Sequence, residues 1–304
     1  MIKKADKSQT GSIKHMWLTC FPQEEESYID YYFDKVYKPE NTLVLIENGI
    51  VQSSCQRIPH EIMFNNRILR TSMIVGVTTL PTYQNRGNMA KLMDVVMDEV
   101  NHQELVTLVQ AYNPALYKKY GFEMVYYHKE TTFTRNEIQR ISNEGCSYLI
   151  HSEDMLRLYA SFVKRFNGFY IRDVAAFDRI KEEIEAQHGK IIAYYNEKQQ
   201  LQGYATCLFT NKEVIFEECI YMNSVALTKL INLALQIRPA VKVNTSQVED
   251  LRILFPGVQV KDIGFTMARI NDMELFNRLY QVQATSLEEA FASSGKPLYM
   301  NEFY

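Results

Sequence analysis

The sequence predicts an α/β (α+β) protein built from two tandem domains and a short C-terminal tail. Three observations carry this reading. The chain has 304 residues, 46% hydrophobic and 23% charged, which is enough ordinary globular material for two cores. Strand, helix, helix and antiparallel meander follow one another up to an apolar strand and a long amphipathic helix that ends near Val100. After a polar stretch at 136–145, a similar order of pieces returns in weaker form. The expected boundaries are 1–135 and 146–271 for the two domains and 272–304 for a last helix and tail.

In chain order, a short strand to Ala5 leads through Ser8-Gln9-Thr10-Gly11 into a helix bearing Ile13, Met16 and Trp17, which Phe21-Pro22 ends. Glu24, Glu25 and Glu26 then precede an apolar helical stripe of Tyr28, Ile29, Tyr32, Phe33 and Val36, where negative charge suits a first helical turn. The strands Thr42–Glu47 and Ile50–Arg57 flank Asn48-Gly49, a dipeptide suited to a type I′ hairpin turn. A third strand begins at Asn66 and runs on to the apolar segment Met73–Val77.

From there the chain passes through Thr78-Thr79-Leu80-Pro81-Thr82-Tyr83-Gln84-Asn85-Arg86-Gly87-Asn88 into a helix. Met89, Leu92, Met93, Val96, Met97 and Val100 form one face of that helix. A polar turn at a helix N-terminus is an anion site, because the first amides lack intrahelical acceptors and the helix dipole adds partial positive charge. Gly87 lets the backbone approach a ligand, and Arg86 adds a fixed cation.

This turn resembles the acyl-CoA pyrophosphate loop of the GNAT acetyltransferase superfamily, Gln/Arg-x-x-Gly-x-Gly/Ala. Gln84 and Gly87 fit that pattern, and Met89 departs from it at the last position. Arg-Gly followed by two non-glycine residues is similar to the Eis-like (enhanced intracellular survival) acetyltransferases. A second motif supports the resemblance. After the strand Leu105–Gln110, a short helix bearing Tyr117 stops at Tyr120-Gly121-Phe122, where glycine suits a left-handed C-cap. The resemblance implies a mixed central sheet flanked by helices in each of two GNAT-like domains, and acetyl-CoA as cofactor. It places the cofactor on Val77, Thr78, Thr79, Gln84, Asn85, Arg86, Gly87, Asn88, Met89, Ala90, Tyr112 and Asn113.

Met124–Thr134 reads as a final hairpin or pair of strands of the first domain. Helices follow at Met155–Phe166 and Val174–Gln187, then strands at Lys190–Tyr195, Leu201–Phe209 and Val214–Tyr221, and a helix carrying Leu227, Leu230 and Ile231. At the matching turn this half has Met222-Asn223-Ser224, a good N-cap with neither cation nor glycine, so a degenerate domain without cofactor is expected. Ala240–Asn244 and Gly264–Ile270 are expected to complete its sheet. The sterol-carrier-type third domain of Eis-like proteins is expected to be missing or reduced to the tail.

The resemblance implies direct acetyl transfer to the primary amine of a small molecule or peptide. Tyr117 is then the general acid, backbone N–H groups at Val77 to Thr79 serve the carbonyl oxygen, and the terminal carboxylate of Tyr304 is the general base. One of Glu24, Glu25 and Glu26 faces the acceptor amine in this reading. Two other classes are compatible with the same fold: a non-catalytic acyl-CoA-binding or sensing protein, and a peptide-bond-forming transferase using aminoacyl-tRNA. The intact phosphate turn argues against the latter.

Composition narrows the partners. A net charge of −3 provides no basic field for nucleic acid. Five cysteines, odd in number and without a C-x-x-C, read as buried thiols of a reducing compartment. The six histidines show no paired spacing, so no metal is expected. Without an apolar segment behind the basic N-terminus, or any run near 18 apolar residues, a cytoplasmic protein without a membrane partner is expected. Homo-oligomerisation is left open.

Overall fold

A computed structural model of the chain describes residues 1–303. Its strands are β1 (Ile2–Lys4), β2 (Thr42–Glu47), β3 (Ile50–Phe64), β4 (Arg67–Thr79), β5 (Val106–Val109), β6 (Glu123–Phe133), β7 (Cys146–Ser147), β8 (Phe169–Tyr170), β9 (Lys190–Tyr195), β10 (Leu201–Phe209), β11 (Glu213–Tyr221), β12 (Ala240–Ser246) and β13 (Gln259–Ile270). The helices are α1 (Thr10–Cys20), α2 (Glu26–Tyr31), α3 (Asn88–Gln103), α4 (Ala115–Lys118), α5 (Ser152–Phe162), α6 (Val174–Ala186), α7 (Ser224–Ala234), α8 (Met273–Tyr280) and α9 (Leu287–Ala292). They form an α+β fold of two compact units.

Unit 1 comprises Met1–Val125, Phe265–Ser293 and the residues from Glu302. Its sheet runs β1-β2-β3-β4-β5-β13, antiparallel except for the parallel β4–β5 pair. Both hairpins turn on left-handed residues, Asn48 and Gly49 at φ 51° and 77° and Asn65 and Asn66 at φ 47° and 60°. Alternation along β2 sends Leu43 and Leu45 to one face, where they meet Leu92, Met93, Val96 and Val100 of α3. Val44 goes to the other face, against Ile13, Met16 and Trp17 of α1 and Tyr28 and Ile29 of α2. The stripe read along α3 is thus its buried face.

Unit 2 comprises Tyr126–Gly264 and Ser294–Asn301. Its strands repeat the arrangement in the order β6-β12-β11-β10-β9-β7, again with one parallel pair, β11–β12. Helices α5 and α6 share one core with Tyr204 and Ile220, and α7 packs Leu227, Leu230 and Ile231 into another with Phe216 and Val243.

Two sequence expectations are corrected by strand pairing. Met124–Thr134 is the single strand β6, and its residues His128–Phe133 pair with β12 in unit 2. The end of β13, Met267–Ile270, pairs with β5 in unit 1 instead of completing the second sheet. Each sheet is finished by a strand from the other half of the sequence. Strand propensity reports extended backbone but not which edge it meets, which is why linear order misled. The tail also contains α9, whose N-cap Ser286 accepts from the N–H of Glu289 at 3.2 Å. Sequence reading expects only a tail after Tyr280 and misses this helix, for which the pair Ser286-x-x-Glu289 is the available signal.

Candidate active site

Strands β4 and β5 are paired only from Ser72–Ile74 to Thr107–Val109 and then part. The parting has a local cause on β4. Its register against β3 shifts between the Ser54–Thr78 and Gln56–Val75 pairs, so that an extra residue bulges out. Gly76 lies in the bulge at φ 56°, a conformation that side-chain-bearing residues rarely take. A cavity of about 530 Å³ opens at this point. Val75, Gly76 and Val77 supply one wall; Gln110, Tyr112, Asn113, Leu116 and Tyr117 supply the wall beyond β5. Trp17 and Cys20 from α1, Tyr28 from α2, and Phe21, Gln23 and Glu24 between the two helices complete it.

Tyr117 is 6% exposed and sits on the four-residue helix α4. That helix ends as a Schellman motif: Gly121 N–H donates to Lys118 O at 3.0 Å, Phe122 N–H donates to Tyr117 O at 3.4 Å, and Gly121 has φ 83°. The Phe122 ring meets the Tyr117 ring edge-on at 6.2 Å. Burial, with the neighbouring Cys55 thiol, pushes the Tyr117 phenol well above its ordinary pKa. It therefore keeps its proton at neutral pH. Cys55 itself is fully buried, and burial pushes its thiol up to about 12.

Of the three glutamates, Glu24 lines the cavity and accepts a 2.6 Å hydrogen bond from the Tyr112 hydroxyl. Glu25 and Glu26 are exposed, as the N-cap and first residue of α2, and are not on the cavity wall.

At the phosphate turn, Gly87 is the left-handed N-cap of α3 at φ 74°, and nothing lies within 4 Å of where a Cβ would project. The first-turn amides of α3 have no intrahelical acceptors. Arg86 donates to Thr82 O at 2.9 Å and lies 5.2 Å over the Tyr83 ring, and Gln84 Nε2 donates to Thr79 O at 3.1 Å. Asn85 takes φ 61°. The turn is held open by its own side chains, and an open glycine beside free amides fits a pyrophosphate.

Several of the expected residues turn their side chains away from the turn's open face. Asn88 is buried, its Nδ2 donating to Gln52 Oε1 at 3.1 Å, so its side chain fastens α3 to β3. Thr78 is also buried, bonded to Ser54 Oγ at 2.8 Å and to Met16 Sδ at 3.1 Å. Thr79 Oγ1 is 2.8 Å from Ser53 Oγ. Met89 packs into the core beneath α3, and Ala90 is half-buried. On β4 only Val77 of the three expected residues reaches the cavity, joined by Val75 and Gly76. Tyr304 lies outside the described residues. Sequence reading missed the aromatic wall and Gly76, although a glycine inside an apolar strand run is itself a signal of a bulge.

Residues 1–125 match the family model of the GNAT acetyltransferase domain. That stretch, less than half of the chain, is similar to a GNAT acetyltransferase domain. No curated protein matches it by sequence. Among solved structures, a probable N-acyltransferase from Enterococcus faecalis is 18% identical, with a TM-score of 0.74 over 89% of this chain and 72% of that one. A GCN5-related N-acetyltransferase from Anabaena variabilis is 16% identical, with a TM-score of 0.71 over 90% and 73% of the two chains. Eis1 from Mycobacterium abscessus is 12% identical, with a TM-score of 0.66 over 91% and 75%. At these identities the likeness speaks for the fold. Among the described residues, no group of His, Cys, Asp and Glu side chains could hold a metal ion, and no helix is long and apolar enough to cross a membrane.

Proposed function

We propose that the protein is an acetyl-CoA-dependent N-acetyltransferase that acts on a primary amine. The observation that carries this reading is the cavity where β4 and β5 part, with Tyr117 among its lining residues. Gly87, the first-turn amides of α3 and Arg86 hold the pyrophosphate of acetyl-CoA, which when bound supplies the activated acetyl thioester. Backbone N–H groups of the parted Val75–Val77 segment serve the negative charge that develops on the carbonyl oxygen. The Tyr117 hydroxyl gives its proton to the departing sulfur. An ammonium cannot attack, so a base must first take its proton, and we assign that role to the terminal carboxylate of Tyr304. Support for this assignment comes from its neighbours in unit 1. Gln110, a cavity residue, donates its Nε2–H to the Glu302 carbonyl, and the Phe303 ring lies 4.9 Å from that of Phe265.

The test is to incubate the protein with acetyl-CoA and a panel of polyamines, aminoglycosides and lysine peptides while following free thiol. Amine-dependent thiol release is expected. Acetyl-CoA binding with no release against any amine would favour an acyl-CoA sensor. Adding one glycine after Tyr304 tests the base: transfer should fall about 10²-fold or more while acetyl-CoA still binds. A normal rate in the extended enzyme would remove Tyr304 from the mechanism and leave Glu24 as the next carboxylate to test.

A further inference from the structure

Unit 2 repeats the device that opens the cavity in unit 1. β11 and β12 are paired from Glu213–Phe216 to Ala240–Val243 and no further. Against β10, the register of β11 shifts between the Thr206–Glu218 and Cys207–Phe216 pairs, leaving Glu217 as the extra residue. What lies at this second parting is the chain's own segment 297–301. The Asn301 side-chain amide donates to the carbonyl of the bulged Glu217 at 3.0 Å. On the other arm, His128, paired with Ser246 of β12, bonds through Nε2 to the Met300 carbonyl at 2.7 Å. Tyr299 is 6% exposed and packs between the rings of Phe162 and Phe166, at 5.4 and 5.1 Å. Its N–H donates to Asn167 O at 3.0 Å, while Asn167 N–H donates to Pro297 O at 2.8 Å, a short parallel bridge.

A buried charged pair backs this seat. Arg172 bonds both carboxylate oxygens of Glu218 at 2.9 and 2.8 Å and donates to the Asn301 carbonyl at 3.3 Å. Tyr204 donates to Glu218 Oε1 at 2.7 Å, and the guanidinium lies 4.4 Å over the Tyr159 ring. Such a pair is costly to desolvate, and two charges, a tyrosine and a backbone carbonyl satisfy one another here. The peptide is thus read both by its backbone, at Pro297, Tyr299, Met300 and Asn301, and by two side chains, Tyr299 and Asn301.

We propose that unit 2 has exchanged a coenzyme cleft for a peptide receptor, whose ligand is the segment Lys296–Asn301 of this chain. The tail is held by recognition of its residues and not by its covalent link alone. This inference does not depend on the transferase reading of unit 1, and neither does its test. A protease site is inserted between Ser294 and Gly295 in the full-length protein, the folded protein is cut, and the fragment is followed by gel filtration and mass spectrometry. The fragment should co-elute with the body and be displaced by excess synthetic peptide of sequence 296–304. A parallel chain ending at Asn301 should retain its fragment too, which assigns the binding to unit 2. Tyr299→Ala or Asn301→Ala should speed release at least tenfold. Immediate loss of the fragment from a cut protein that keeps its circular dichroism would overturn the proposal, as would retention that ignores Tyr299→Ala. If the inserted site spoils folding or resists cleavage, hydrogen exchange on the intact Tyr299→Ala protein decides the matter. Protection should drop selectively over 296–301 while the α5 and α6 amides keep theirs; unchanged protection of the tail would refute the receptor.

Discussion

The indole of Trp17 occupies the space into which a side chain at Gly76 would project, with a Cβ there coming within 2.1 Å of Cζ2. The bulge in β4 and the packing of α1 are therefore one feature. Gly76→Ala combines a φ of 56° with a clash against a rigid ring, and should destabilise the protein by about 3 kcal/mol or more. Denaturant unfolding measures the loss. Replacing Trp17 by Leu in the same chain should recover part of it. A single variant within about 0.5 kcal/mol of the parent would show that the bulge does not need this glycine.

Tyr117→Phe removes the proposed proton donor and little volume. We expect kcat to fall roughly 10²–10⁴-fold with coenzyme A affinity nearly unchanged. Because burial raises the Tyr117 pKa, the phenol stays protonated up to and beyond the ordinary tyrosine range. The wild-type rate should accordingly show no loss near pH 10 that Tyr117→Phe abolishes. A mutant kcat within a few-fold of wild type would reassign the acid.

At the phosphate turn, Arg86→Ala should weaken coenzyme A by about 1.5–3 kcal/mol and leave pantetheine, which lacks the pyrophosphate, nearly unaffected. Isothermal titration with both ligands separates the two effects. Equal losses would mean that Arg86 matters through Thr82 and Tyr83, its partners in the structure, and not through the ligand.

His128 gives the tail a pH dependence. Burial pushes its imidazole down to about 4, despite the hydrogen bond to the Met300 carbonyl, which acts the other way. The unfolded chain takes up a proton near pH 6.5 and the folded one resists until about pH 4, so stability is lost as pH falls through that window. At about 1.4 kcal/mol per unit, the loss is on the order of 3 kcal/mol. His128→Gln keeps a donor without the titration. Unfolding curves at pH 7 and 4.5 should show a smaller drop for this variant than for the parent, and equal drops would exclude His128 as the source.

The sequence was most legible where one residue type has one physical use. Asn48-Gly49 announced its hairpin, Gly121 its C-cap, and the spacing from Met89 to Val100 the buried face of α3. The turn at Gln84–Gly87 could be read as a helix start because a glycine there precedes an amphipathic run, and Gly87 is the left-handed N-cap of α3. The cavity wall was different. Trp17 and Tyr28 read as core residues on amphipathic helices and Phe21 as part of a helix stop, and nothing in their spacing says that some of their surface faces a void. Asn88 shows the converse: a polar residue of the turn whose side chain is directed inward to hold Gln52. The partners of β6 and β13 were not legible either, because sheet order is a property of edges that lie far apart in sequence.

That exchange of strands matters while the chain is being made. The last strand of unit 1 is Phe265–Ile270, so the stretch matched as a GNAT domain, residues 1–125, leaves the ribosome with Val106–Val109 bare along one side. At about 5–20 residues per second, that apolar edge waits roughly ten seconds for its partner. During that interval a neighbouring nascent chain can supply the missing strand instead, and a gene cut at Val125 would make the interval permanent. Expression trials of the isolated first half should therefore yield aggregate or strand-swapped species, whereas the same half joined to a peptide carrying Phe265–Ile270 should be recovered as a monomer.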